Sequence, residues 1–134
     1  GALLCCQSVL PAMAANGFGR IVLIGSLAGR GMPRIAGASY VASKSALAGL
    51  ARSIVSEYSH HGITANTVCP GRILTEMSGA PDSAANRSAL GRIPAGRLGE
   101  PGDVARVVAF LLRRDSGFVN GAIIDVNGGE LTPP

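Results

Sequence analysis

Tyr40 and Lys44 stand four residues apart in a chain of 134 residues. On a helix that spacing places both side chains on one face. Lys44 is the only lysine in the chain. A phenol releases its proton near pH ~10 and exchanges protons poorly at neutral pH. An ammonium group beside it favours the phenolate and eases that exchange. Ser26 closes a short apolar run, and its hydroxyl could polarise a substrate carbonyl by hydrogen bonding. The three together suit acid–base chemistry at a carbonyl carbon. Taken singly, each has a plainer reading: a serine at a strand end is a turn residue, and a Tyr/Lys pair is a helix-surface contact. His60 and His61 fall at a solvated helix end, and Tyr58 reads as packing. Cys5, Cys6 and Cys69 lack metal-ligand spacing and read as small core residues, so no metal site is expected.

The elements that must position these residues alternate along the chain. Residues 1–15 are apolar nearly all round and predict a buried helix, closed by Asn16-Gly17. Residues 20–25 (RIVLIG) predict a strand covered on both faces, and a glycine-rich loop follows to Gly37. Residues 39–60 predict a long helix. Its stripe of Ala42, Ala46, Gly49, Leu50, Ser53 and Ile54 is mostly small, so another backbone can approach closely. Gly62 stops it, and residues 63–68 (ITANTV) form a second strand ended by Cys69-Pro70-Gly71. Residues 72–96 are polar and rich in glycine and proline, with one short helix near 83–90.

The next helix is marked by Glu100 as a cap, Pro101 in the first turn and Asp103 at the positive end. Val104, Ala105, Val107, Val108, Leu111 and Leu112 supply its buried face, and Arg113-Arg114 its basic last turn. Residues 122–126 (AIIDV) form a third strand closed by Asn127-Gly128-Gly129. This order predicts an α/β fold: a parallel sheet with helices on both faces. Ligands of such sheets bind beyond the carboxyl ends of the strands, where Ser26 and Pro70-Gly71 fall. Residues 72–96 follow directly and are placed to fold over a ligand there. Three strands leave a sheet edge open, which native proteins avoid, so a cover is expected.

Composition removes several function classes. The chain is 47% apolar and 15% charged, which argues against disorder and suits one domain. No apolar run approaches the ~18 residues of a membrane span, and residues 2–15 read poorly as a signal peptide. The net charge of +4 comes from scattered arginines in a chain with 4% aromatics, unlike a nucleic-acid binder. It supports only a weak preference for anions. An odd cysteine count fits a reducing compartment, hence the cytoplasm.

Five blocks in order (GRIVLIGSLAG, SYVASKSALAGLARS, GITANTVCPGRILTEM, IPAGRLGEPGDVARVVAFLL and FVNGAIIDVNGG) carry a resemblance that runs the length of the chain. The chain resembles the short-chain dehydrogenase/reductases, closely those of the 3-oxoacyl-[acyl-carrier-protein] reductase type. That resemblance implies a Rossmann-type doubly wound sheet, of which the chain holds three carboxyl-terminal strands with their flanking helices. It implies hydride transfer between NAD or NADP and a carbonyl or secondary alcohol, such as a 3-oxoacyl thioester, free or carrier-bound. Ser26, fourteen residues before Tyr40, takes the family's catalytic serine position. Tyr40 takes the role of proton donor or acceptor. Lys44 takes the role of holding the nicotinamide ribose and lowering the tyrosine pKa. Pro70, Gly71, Ile73 and Thr75 match the turn lining the nicotinamide pocket, and Asn66 a structural position.

The family's amino-terminal GxxxGxG turn, which holds the cofactor pyrophosphate, has no counterpart here. Residues 1–134 are therefore expected to be the carboxyl-terminal half of a single reductase domain, with 72–96 as its substrate-side lid. A homodimer or homotetramer is implied, with no nucleic-acid or membrane partner. The alternative is a truncated, non-catalytic oligomerisation module. Arg72 could attract an acidic carrier or a phosphate, or be merely solvated.

Overall fold

The structure, a computed structural model, describes residues 1–33 and 35–133; Arg34, in the expected glycine-rich loop, and Pro134 lie outside the described residues. The helices and strands run α1 (Ala2–Ala15), β1 (Gly19–Ile24), α2 (Ala38–Tyr58), β2 (Ile63–Pro70), α3 (Ala84–Leu90), α4 (Pro101–Leu111) and β3 (Ile123–Val126), joined through short 3₁₀ turns. The sheet order is β1-β2-β3, with both pairings parallel. The register matches Gly19 with Ile63, Ile24 with Val68, and Cys69 with Asp125.

Residue alternation divides the sheet into two faces. On one, Ile21, Leu23, Ile63 and Ala65 pack with Cys6 and Leu10 of α1 and with Ala51 and Ile54 of α2. Tyr58 packs against this core as expected. On the other lie Arg20, Val22, Thr64, Asn66 and Val68, approached by α4, whose Leu111 is fully buried. Only β2 is buried on both faces along most of its length. β1 instead alternates between buried and partly open positions, and Ile24 is 43% exposed. The expectation of a doubly covered first strand therefore fails: α4 covers its second face only thinly, and β1 is also one of the two edges of the sheet among the described residues.

Other expectations are also corrected. α1 buries only Cys6 and Leu10, while Leu3, Leu4 and Val9 face outward, Leu4 at 68% exposure. Its apolar periphery exceeds the stripe one sheet can cover. Cys5 is exposed for the same reason and is no core residue. β2 runs two residues beyond its expected end, because β3 pairs with Cys69 and Pro70. Proline is tolerated at this strand terminus, and the next N–H, that of Gly71, donates to Val126 O at 2.9 Å.

α4 stops at Leu111, so Arg113 and Arg114 lie past it, and Ala105 and Leu112 are exposed rather than buried. The start of α4 is as read. Glu100 is its N-cap residue, Pro101 opens it, and the Asp103 carboxylate accepts from the Glu100 N–H at 2.8 Å. After α2 comes a 3₁₀ turn, Ser59–His61, with both histidines exposed, and then Gly62 at φ +72°. A Cβ at Gly62 would lie 2.4 Å from Gly17 O, so both conformation and crowding demand glycine there.

The link between β2 and β3 is held by two asparagines. Buried Asn66 donates to Val119 O at 2.8 Å and accepts from Ala122 N at 2.9 Å. Asn120 accepts from Ala65 N and donates to Ser59 Oγ. The structural role expected of Asn66 is this pair of bonds, which bring β3 onto the exposed side of β2.

Candidate active site

The carboxyl ends of β1 and β2 carry the site. Gly25 N–H donates to Val68 O at 2.8 Å, which holds the end of β1 beside β2. A Cβ at Gly25 would lie 2.8 Å from Cys69 Sγ, so this crossing of chains is close. Ser26 follows in extended conformation and caps a 3₁₀ turn, Leu27–Gly29, its Oγ accepting from Ala28 N at 3.2 Å. With that oxygen used as acceptor, the hydroxyl proton remains available to an outside carbonyl.

α2 delivers the other two groups. It starts at Ala38 without a side-chain cap, so Tyr40 sits in its first turn and is 46% exposed. One turn on, Lys44 Nζ lies 5.8 Å from the Tyr40 ring centroid. The same ammonium donates to Ile24 O, the last residue of β1, at 2.8 Å. The expected sharing of a helix face is realised, and Lys44 ties that face to the strand end from which Ser26 departs. Lys44 has three N–H donors and spends one on Ile24 O, which leaves donors suited to ribose hydroxyls. In this respect the chain fits a nicotinamide nucleotide.

Ser26 and Lys44 line a cavity of about 240 Å³ with Gly29, Arg30, Ser45, Ala48, Arg52, Thr67, Cys69 and Ile123. Ile73 lines a different cavity, of about 380 Å³, with Arg72, Ile93, Val107 and the chain from Ile124 to Gly129. Tyr40, Pro70, Gly71 and Thr75 line neither. Gly71 is required for a reason the sequence does not disclose: a Cβ there would lie 2.8 Å from Asn127 Cβ. Ile73 packs against Gly99 and pairs with it as an isolated bridge. Thr75 is exposed and its N–H donates to Ser78 Oγ.

Arg72 is more than merely solvated. Its guanidinium donates to Asn86 Oδ1 at 2.7 Å and to Ser78 O at 3.1 Å. The fully buried Asn86 in turn donates to Ser78 O and Ala80 O. Arg72 is thus an internal fastener of the segment 72–96, with two of its nitrogens engaged within the chain.

Sequence reasoning missed three further residues at the site. Cys69 is buried as expected, yet its sulfur lies against Gly25 and near the Ser26 backbone, at the foot of the Ser26 turn. Burial pushes its thiol above the ordinary value, against the lowering effect of the Ser26 backbone, and so keeps it protonated. Arg30 and Asp125 form a two-pronged ion pair across the site. One signal pointed to it: Asp125 is a lone acid inside an apolar strand, and such an acid needs a partner.

The parallel α/β sheet and the Ser–Tyr–Lys rim at its carboxyl edge define a Rossmann-type protein. The chain belongs to the short-chain dehydrogenase/reductase family: residues 1–130 match the family model described as Enoyl-(Acyl carrier protein) reductase. It is 44% identical over 130 residues to the 3-oxoacyl-[acyl-carrier-protein] reductase MabA of Mycobacterium tuberculosis, covering 96% of this chain and 52% of that protein. It is 44% identical over 119 residues to the acetoacetyl-CoA reductase of Rhizobium meliloti, covering 88% of this chain and 49% of that protein.

Among solved structures, a 3-oxoacyl-[acyl-carrier protein] reductase from Brucella melitensis matches with TM-score 0.90 and 33% identity, over 95% of this chain and 48% of that one. A gluconate 5-dehydrogenase from Burkholderia cenocepacia, in complex with NADP and tartrate, matches with TM-score 0.85 and 35% identity, over 93% and 49%. The chain spans about half the length of the curated relatives it matches.

Proposed function

We propose that this chain is the proton-transferring half of an NAD(P)-dependent oxidoreductase that interconverts a carbonyl and a secondary alcohol, with a 3-oxoacyl thioester as the substrate class. The observation that carries this reading is the Lys44 ammonium, bonded to Ile24 O at 2.8 Å with the Tyr40 ring 5.8 Å away. That anchor joins the helix bearing the acid to the strand end bearing Ser26. The names of the reductases above support the substrate class.

A nicotinamide cofactor, when bound, supplies the hydride. Ser26 donates a hydrogen bond to the carbonyl oxygen and orients it. Tyr40 delivers the proton to that oxygen as negative charge develops there. Lys44 stabilises the charge left on the phenol oxygen and offers its free donors to the ribose. Pro70, Gly71, Ile73 and Thr75 form the wall beside the nicotinamide. Residues 72–96, pinned by Arg72 and Asn86, cover the substrate. In oxidation the same groups act in reverse.

Assembly as a homodimer or homotetramer through α1 and α2, in the reducing cytoplasm, completes the reading. It is supported by the outward Leu3, Leu4 and Val9 and by the exposed Ala42, Ala46 and Ser53.

Tyr40→Phe in the intact protein tests the chemistry. The phenyl ring keeps the packing and only the transferable proton is lost. A fall in kcat of about 10²–10⁴-fold is expected, with cofactor affinity retained. A variant that keeps more than about a tenth of the activity would exclude Tyr40 as the acid.

A further inference from the structure

We propose that Arg30 is a positioning residue for Ser26, acting through its two-pronged pair with Asp125. This rests on the reading of Ser26 as the carbonyl-orienting group.

The turn that carries Ser26 is short and packs chiefly on α2. Upstream it is held by Gly25 N–H on Val68 O and by the close packing of Gly25 on Cys69 Sγ. Internally, Gly29 N–H donates to Ser26 O at 3.0 Å and Arg30 N–H to Leu27 O at 3.0 Å. These bonds give the turn its shape but leave its tilt against the sheet undetermined. Two contacts set the tilt. Ser45 Oγ of α2 donates to Gly29 O at 3.1 Å, and a Cβ at Gly29 would lie 3.0 Å from Ser45 N. From the opposite side, Arg30 Nε donates to Asp125 Oδ1 at 3.1 Å and its terminal nitrogen to Oδ2 at 3.0 Å.

The position of this fork is what gives it leverage. Arg30 is the C-cap residue of the turn whose N-cap residue is Ser26. Asp125 is the register partner of Cys69, whose sulfur lies against Gly25 at the foot of the Ser26 turn. The pair therefore closes a ring through Ser26, the turn, Arg30, Asp125, Cys69, Gly25 and back to Ser26. A planar guanidinium bound at two points fixes direction as well as distance, which a single bond cannot do. Both side chains are largely shielded, at 24% and 13% exposure, so solvent competes weakly. Between Gly31 and Ala38 the described residues have no regular structure. The Ser26 Oγ already accepts from Ala28 N within the turn, so the direction of its free proton follows the turn. Loss of the fork lets that direction wander.

The test is a mutant cycle in the intact protein with steady-state kinetics. Arg30→Gln should lower kcat between about tenfold and a hundredfold, with the KM of the cofactor held within about twofold. Added to Ser26→Ala, the same change should lower kcat by no more than about twofold, because the group it positions is gone. An unchanged kcat for Arg30→Gln, or an equal loss on the Ser26→Ala background, overturns the proposal. A silent Ser26→Ala instead overturns the assignment of Ser26, and this proposal with it. If Arg30→Gln does not fold, Arg30→Lys takes its place in the same cycle. It keeps the charge and loses the fork, and should still lower kcat on the Ser26 background alone.

Discussion

Single residues here do two kinds of work, and the buried amides show the difference from the rim proposed to be catalytic. Asn66 is 1% exposed and satisfies two backbone groups, Val119 O and Ala122 N. Asn66→Ala leaves both buried without partners, at a cost of about 2–4 kcal/mol in chemical denaturation. A loss under about 1 kcal/mol would mean the β2–β3 link finds other partners. Gly62 carries a different constraint. Its φ of +72° and the 2.4 Å approach of Gly17 O to any added Cβ leave no room for a side chain. Gly62→Ala should cost more than about 1 kcal/mol, readable as a lower Tm. Tyr40, by contrast, is half exposed and braces nothing, so its phenylalanine variant should fold normally.

At the scale of elements, the ends matter more than the middles. α4 ends at Leu111, and Arg20 of β1 closes that end. Its guanidinium donates to Arg113 O and Arg114 O at 3.1 Å each, and to Gly19 O and Gly62 O. The Arg20 and Arg114 guanidinium groups both lie over the Phe18 ring, 4.5 and 4.4 Å from its centroid. Arg20→Met should speed amide exchange selectively after Leu111 and cost about 1–3 kcal/mol. Uniform exchange along α4 in that variant would count against the latch.

The opposite end of α4 is set by Asp103. It meets Arg97 and Arg106 at 2.7 Å each and accepts from Glu100 N–H. Arg97, then the Glu100 N–H, hold its carboxyl well below the ordinary 3.8. A lowered folded-state pKa gives stability that is present above the unfolded value and lost as pH falls toward the folded one. Asp103→Asn should therefore be less stable than the parent above about pH 4, with the gap closing under acid. A constant gap down to about pH 2 would contradict the assignment.

At the scale of the whole molecule, one exposed apolar surface lies over α1 and α2. Leu3, Leu4 and Val9 of α1 point outward, and α2 shows Ala42, Ala46 and Ser53 on its outer face. Gly49 lies in the same stripe, and a Cβ there meets only Arg52, at 3.9 Å. Gly49→Trp therefore has space within one chain, and tryptophan is the better helix former. On the proposed assembly through α1 and α2, it should fold as a single chain yet sediment as a smaller species. Unchanged sedimentation would move the interface elsewhere. The outer edge of β1 is a second such surface, since its backbone groups face no strand among the described residues.

What the sequence alone determined were features written in neighbouring residues: the alternation of helix and strand, the Pro101 start of α4, the Gly62 stop, and the Tyr40–Lys44 pair on one helical turn. Each depends on local periods or backbone preferences, which act within a few residues. It also placed Ser26 at a strand end, because apolar runs end visibly. The tertiary structure decided what depends on distant chain meeting in space. It paired Arg30 with Asp125 across 95 positions, and Arg72 with Asn86. It extended β2 through Pro70, exposed one side of α1, and put Ile73 on a different cavity from Ser26 and Lys44. An arginine has the same composition whether it meets a carboxylate, an amide or water. Only the geometry that brings a particular acceptor within hydrogen-bond reach, with water shielded from both, selects among them.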